Sequence, residues 1–150
     1  MDFKKSLIVG LDAAKAARKN KEEIQKLIED LNHQIQEFSN GLVSLEVTNE
    51  QKVNKNVNPL ATGLVALVGI NSSIKYNALS LKLNKGMNRK EVIAEWKINE
   101  SDGYPCVISY NGKDVNCRSK ETLERALNDL LSNASTGERM LQLIDEAQPE

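Results

Sequence analysis

Apolar residues recur at alternating steps of three and four along the first 38 residues. The positions of this repeat are Phe3, Leu7, Gly10, Ala14, Ala17, Lys21, Ile24, Ile28, Leu31, Ile35 and Phe38. Such heptad spacing predicts one long amphipathic helix, and Asn40-Gly41 is a typical helix end. Small residues and Lys21 weaken the first half of the apolar stripe, whereas the second half, from Ile24 to Phe38, is unbroken.

The apolar side of this helix is expected to be buried, and the sequence leaves three ways of burying it open. The second half can lie on the sheet of the same chain, two copies can associate through it, or it can dock into a groove of another protein. Because uncharged polar residues flank the stripe, charge pairing does not fix a register. The residues predicted to make these contacts are Ile24, Ile28, Leu31 and Ile35.

Alternating apolar and polar residues predict strands of an antiparallel sheet. The alternation is strongest at residues 79–83 and 92–99, and weaker at 42–48. Residues 49–58 are polar and predict a loop. The apolar stretch 60–68 follows Asn58-Pro59 and ends before Gly69, and its pattern fits either a short helix or a buried strand.

Two tight turns predict the register of a three-stranded meander over residues 92–118. Asn111-Gly112 is typical of a two-residue hairpin turn, and Ser101-Asp102-Gly103 of a three-residue loop with a left-handed glycine. Both registers put the apolar side chains on one face of the sheet, so Trp96 is predicted to be a core residue. The Asn111-Gly112 turn pairs Tyr110 with Lys113, Ile108 with Val115 and Cys106 with Cys117. The Ser101-Asp102-Gly103 loop pairs Ile98 with Cys106, Trp96 with Ile108 and Ala94 with Tyr110.

Two amphipathic helices are predicted after the meander. Ser119 is the expected N-cap of the first, and Ser135 with Glu138 forms a capping box for the second. Their apolar stripes are Leu123, Ala126, Leu127, Leu130 and Leu131, then Met140, Leu141, Ile144 and Ala147. The chain is therefore expected to be one α+β domain over residues 1–150, with a long N-terminal helix, an antiparallel meander of three to five strands and two C-terminal helices. Residues 1–40 either pack on the sheet or project from it.

The composition is that of a globular protein of 150 residues, with 40% hydrophobic residues and a net charge of −1. So small a net charge gives no long-range field to attract a polyanion, which disfavours nucleic acid as a partner. No stretch approaches the roughly 20 apolar residues of a membrane span, and no secretion signal is evident, so a cytoplasmic protein without membrane contact is expected. Abundant asparagine, and lysine in excess of arginine, suggest an AT-rich genome such as that of a phage or mobile element.

Residues with catalytic potential are few. The sole histidine, His33, lies opposite the apolar stripe, and no acid–base carboxylate pair or phosphate-binding glycine loop is evident. Cys106 and Cys117 face each other in the predicted register as two small core residues without further metal ligands nearby, and a redox role for the pair is left open. We therefore expect no enzyme, no metal and no cofactor.

The sequence favours a non-enzymatic protein-binding module of the accessory, inhibitor or immunity type, which acts by covering part of another protein. Besides the helix residues named above, its predicted contacts form a polar sheet face of Lys97, Val107, Ser109 and Asn116. One alternative is an assembly subunit that forms homodimers through the long helix. The other is a weakly nucleic-acid-binding accessory protein that uses the basic residues Lys85, Arg89 and Lys90.

Overall fold

A computed structural model of the chain describes residues 1–53, 73–86 and 88–148. Within these ranges one helix precedes five strands and two helices follow them, which confirms the predicted α+β fold. The strands form a single antiparallel sheet in the order β1-β2-β3-β4-β5. The elements are α1 (Phe3–Phe38), β1 (Val43–Val53), β2 (Ser73–Leu83), β3 (Lys90–Asn99), β4 (Gly103–Tyr110), β5 (Lys113–Cys117), α2 (Lys120–Leu131) and α3 (Ala134–Ala147).

The predicted long helix is present as α1, which has 36 residues. The Asp2 carboxylate caps its start by accepting hydrogen bonds from the backbone N–H groups of Lys4 and Lys5. At its end, Asn40 and Gly41 have φ angles of 53° and 80°. These left-handed residues turn the chain out of the helix and towards β1, as the sequence predicts.

The two halves of α1 have different surroundings. In the second half, the side chains of Ile24 and Ile35 are buried in the core, and Leu27, Ile28 and Leu31 pack against them. Every residue from Phe3 to Ala16 is exposed. The second half therefore lies on the sheet of its own chain, whereas the first half, here called the projecting segment (residues 3–19), extends past it.

The first strand is longer than the alternation predicts. Residues 49–53, expected to be part of a loop, continue β1 and pair with residues 73–77 of β2. Backbone hydrogen bonds form this ladder whatever the side chains are, so polar residues such as Asn49 and Gln51 are accommodated where the strands face solvent. The remainder of the predicted loop, and the segment 60–68 with its two alternatives, lie outside the described residues.

The meander has the predicted register at its centre. Across the Asn111-Gly112 turn, Cys106 is the partner of Cys117, and across the preceding turn Trp96 is the partner of Ile108. The expected pairing of Ile98 with Cys106 is displaced, because the register shifts between Lys97 and Asn99. Pro105 lies opposite this shift, and since proline has no N–H to donate, a bulge in the ladder is the usual outcome.

Side chains from the sheet and all three helices form one buried cluster. Trp96 and Ile108 lie on the same face of the sheet and are both buried, as predicted. The fully buried large side chains are Ile24, Val43, Leu79, Leu81, Cys106, Ile108, Cys117, Leu123, Leu130 and Leu143.

The C-terminal helices are present, with two corrections. Ser119 caps α2 as expected and shares a reciprocal capping box with Thr122. In α3, however, Asn133 is the N-cap and Ser135 lies inside the helix. The buried stripe of this helix contains Leu143 (0% exposed), three residues after Met140, whereas the predicted Leu141 is 56% exposed and lies off the stripe.

Hydrogen bonds hold α1 at both ends of its packed half. Near the start of this half, the Asn20 side-chain amide donates to the backbone oxygen of Asp102 (3.1 Å) in the β3–β4 turn. Further along, the Asn32 side-chain oxygen accepts from the backbone N–H of Leu45 (2.8 Å) in the edge strand β1. Gly103 lets the turn come this close, since a Cβ there would lie 3.1 Å from the Cβ of Asn20.

Gly103→Ala is expected to lower the free energy of unfolding more than Gly112→Ala. Both glycines have positive φ, where alanine costs roughly 1–2 kcal/mol. Only at Gly103 would the new methyl group also press on the backbone of α1, at an additional cost of about 1–3 kcal/mol. Denaturant unfolding of the two variants measures the difference, and equal losses would mean that the turn and α1 are not in tight contact.

Candidate protein-binding surface

The projecting segment carries the largest set of exposed apolar side chains among the described residues. Five of them are between 58% and 69% exposed: Phe3, Leu7, Ile8, Val9 and Leu11. Isolated exposed apolar residues are common, but five within nine positions of one helix form a contiguous patch, and such patches mark interaction sites.

The apolar side chains of this segment point in more than one direction. Successive residues of an α-helix are turned by about 100°, so Leu7, Ile8 and Val9 point to three different sides. Phe3 and Leu11 lie on the same side as Leu7. The turn that contains residues 7–11 is thus apolar nearly all round, which is typical of helices that are enclosed rather than one-sided.

The two halves of α1 differ in charge as well as in packing. Residues 2–21 contain six basic and two acidic side chains, whereas residues 22–38 contain one basic and five acidic. In the projecting segment Lys4, Lys5, Lys15, Arg18 and Lys19 are exposed. Within the described parts of the chain, none of these five cations takes part in an ion pair. The exposed apolar turn is therefore flanked by positively charged side chains.

The helix residues predicted from the sequence to contact a partner lie elsewhere. Ile24 and Ile35 are buried, and Ile28 and Leu31 are partly buried against the same core. These four side chains hold α1 on its own sheet. In this conformation they have little surface left to offer to another protein.

The predicted polar sheet face does come together. In the register of β3, β4 and β5, Lys97 is the partner of Val107, which is in turn the partner of Asn116. Ser109 lies on the same face and its hydroxyl is 2.6 Å from the Asp114 carboxylate. Lys97, Val107 and Ser109 border an open cleft of about 1550 Å³, whose other wall includes Ile24 and Ile28 of α1.

Two ion pairs cross the same face of the sheet from β1 to β3, over the intervening strand. Glu50 pairs with Lys90, and Lys52 pairs with Glu95 at 2.6 Å. The bond from Lys90, with a smaller effect of Thr48, lowers the pKa of Glu50. The bond to Glu95 raises the pKa of Lys52. Each cation is thus held beside a carboxylate of its own sheet.

The basic residues predicted for nucleic acid binding are partly neutralised in the same way. Arg89 lies 2.7 Å from a carboxylate oxygen of Glu91 and 3.0 Å from one of Glu146, and Lys90 is held by Glu50. Lys85 is exposed. A phosphate would have to compete with three carboxylates for two of these three cations.

The environments of the two cysteines and of Tyr104 lower the reactivity of these side chains. His33 is exposed, and its Nε2 lies 3.1 Å from Glu37 one helical turn away. Cys106 and Cys117 are buried and not joined by a disulfide, and burial raises the pKa of both thiols, that of Cys106 to about 12. Burial also raises the pKa of Tyr104, whose hydroxyl donates to Glu23 at 3.0 Å. Raised pKa values make thiols and phenols poorer nucleophiles at neutral pH.

Sequence reasoning allowed for a projecting helix but did not name residues 3–19 as a contact surface, because it considered the heptad positions alone. The signal was the run Leu7-Ile8-Val9, which puts large apolar side chains off the stripe as well as on it. A helix that packs on one sheet needs only one apolar side, so the additional apolar residues indicate further contacts.

Comparison of the chain with protein-family models, with curated proteins and with solved structures gave no match. Among the described helices, none combines the length and the apolar character needed to cross a membrane.

Cys106 and Cys117 are expected to react very slowly with a thiol reagent at pH 8 in the folded chain, and quickly in denaturant. A raised pKa keeps each thiol protonated over the pH range in which an exposed cysteine, with a pKa near 8.5, begins to ionise. Leu141→Cys adds an exposed thiol as a control and should react rapidly. Rapid native labelling of the chain without that change would contradict the buried, inert pair.

Proposed function

We propose that this chain is a non-enzymatic protein-binding module that presents the projecting segment of α1 to another protein. It would act as an accessory, inhibitor or immunity-type protein, by occupying a surface of its partner. The observation that carries the proposal is the exposure of Phe3, Leu7, Ile8, Val9 and Leu11 on a helix whose other half is fixed to the sheet.

The anchoring of the second half supports a binding role. Ile24 and Ile35 lie in the core, Asn20 donates a hydrogen bond to the sheet turn, and Asn32 accepts one from Leu45. These contacts fix the direction in which α1 leaves the sheet. A helix held in this way has lost part of its freedom before a partner arrives. Less entropy is then lost on binding, which strengthens the complex.

The chemistry of the described side chains also favours binding over catalysis. Both thiols are buried, and the one histidine is exposed on a helix surface beside Glu37. A general acid or base needs a positioned partner and a pKa near the working pH. A binding module needs only a complementary surface, and the projecting segment offers one.

A second candidate is an assembly subunit in which the partner is another copy of the chain. The observation in its favour is the pattern of sizes along the projecting segment, where the large Phe3 and Leu7 precede the small Gly10, Ala14 and Ala17. Two such helices that run antiparallel would set large residues against small ones. The cations of the segment oppose this arrangement, since both copies carry the same charge.

The test is site-specific photo-cross-linking in the native cell with a benzophenone amino acid at position 7, compared with position 141 on α3. Position 7 is expected to give a cross-link to one other protein, and position 141, exposed to a similar degree, none. The cross-linked protein is then purified and its affinity measured. The double variant Leu7→Ser and Leu11→Ser should bind it at least about 100-fold more weakly, since each buried leucine contributes roughly 1.5–3 kcal/mol.

Leu141→Ser is the matched control and should leave the affinity unchanged. The double variant should unfold at the same denaturant concentration as the unchanged chain, because both leucines are exposed. A cross-link from position 7 to a second copy of the chain would favour the assembly subunit. A well-folded chain that gives no more cross-linking at position 7 than at position 141 would contradict both candidates.

A further inference from the structure

The cations of the projecting segment frame its apolar side chains. Lys4 and Lys15 are placed beside Leu11 around the helix, and Lys5 and Lys19 lie on the far side from Phe3. All four are exposed, and within the described residues none has an ion-pair partner. In contrast, the cations on the sheet, such as Lys52 and Lys90, are held by carboxylates of the same chain.

The geometry points to the chemistry of the partner. We infer that the projecting segment is received by another protein through an apolar surface rimmed with aspartate and glutamate, such as acidic amphipathic helices packed around it. This inference rests on the proposed function and adds to it the charge and the shape of the partner. Opposite charges at the rim guide the approach and fix the orientation, while the buried apolar contacts supply most of the affinity.

Charge argues against a second copy of the chain as the occupant. The stretch of residues 2–21 has six basic and two acidic side chains, so two such segments side by side would bring like charges together. Like charges on neighbouring helical faces are destabilising. With an acidic partner, the same positive charges attract instead of repelling and so stabilise the complex.

The all-round apolar turn argues for a protein rather than a lipid surface. A helix that lies on a membrane buries one face and keeps its other face polar. Here Ile8 and Val9 are 58% and 68% exposed and point away from the side of Leu7. A flat lipid interface would leave at least one of them in water, whereas a groove or a bundle of helices covers them all.

Two synthetic amphipathic peptides of four heptads test the inference with the full chain. Both peptides have leucine at the two core positions of the heptad; one has glutamate and the other lysine at the flanking positions. The glutamate peptide should bind the chain at least ten times more tightly than the lysine peptide, by calorimetry at low salt. Its affinity should fall as salt is added, since salt screens exposed charges.

A charge-reversed chain is the matched variant. Lys4→Glu, Lys5→Glu and Lys15→Glu together leave every apolar side chain in place and should reverse the preference between the peptides. Val9→Ser should weaken binding of the glutamate peptide as Leu11→Ser does, because a groove contacts both sides of the helix. Equal binding of the two peptides, or binding of neither, would overturn the inference.

Vesicles provide the remaining arm. The chain is mixed with phosphatidylcholine vesicles that contain or lack phosphatidylglycerol, and is expected to sediment with neither. Sedimentation with the anionic vesicles, together with no peptide binding, would assign the segment to a lipid surface instead. If the chain alone forms a dimer in which position 7 cross-links to a second copy, the inferred acidic partner is wrong and the occupant is a second copy of the chain.

Failure of this inference differs from failure of the proposed function. If the protein cross-linked at position 7 binds equally well to the charge-reversed chain, the acidic rim is wrong but the binding module stands. If no protein is cross-linked there, the proposed function itself fails.

Discussion

The packing of the second half of α1 on the sheet determines where the first half of this helix lies. It is fixed by Ile24 and Ile35 in the core, by the contact with Gly103 and by the bond between Asn32 and Leu45. A helix of 36 residues is about 54 Å long, whereas the longest strands, β1 and β2 with 11 residues each, span only about 37 Å. Because a helix does not bend back on itself, whatever exceeds the length of the sheet must extend beyond it.

This arrangement separates the residues that stabilise the fold from those of the proposed binding surface. The buried cluster is built from the sheet, the packed half of α1 and the two C-terminal helices, and includes none of residues 3–19. Substitutions in the projecting segment are therefore expected to leave the fold intact. The helix continues directly from the core into the proposed binding surface, so this surface is held in a defined direction by residues that are themselves in the core.

Periodicity and turn chemistry were enough to predict most of the fold. The heptad repeat gave α1, Asn111-Gly112 gave the partners Cys106 and Cys117, and Ser119 gave the start of α2. These features are local, since each depends on residues close together in the chain. Where a strand continues with polar residues on both of its faces, as β1 does over residues 49–52, the alternation of apolar and polar residues carries no signal.

The proposed binding surface was harder to predict, because exposure depends on lengths and distances that the sequence does not state. Ile35 and Leu7 occupy equivalent positions in the repeat, yet one is 6% exposed and the other 66%. The β3–β4 turn contacts α1 at Asn20, and Leu7 lies beyond this contact, outside the buried core. The projecting segment could have been suspected from Ile8 and Val9, whose side chains do not fit a one-sided helix.

Amide hydrogen exchange of the dilute chain tests most directly that nothing in its own fold covers the projecting segment. Exchange protection follows the free energy of local opening, which is small for helical residues without tertiary contacts. The account predicts strong protection for the amides of residues 24–38 and weak protection for those of residues 7–19. Equal protection of the two halves in a monomer would show that the apolar side chains near Leu7 are already covered, and would contradict the account.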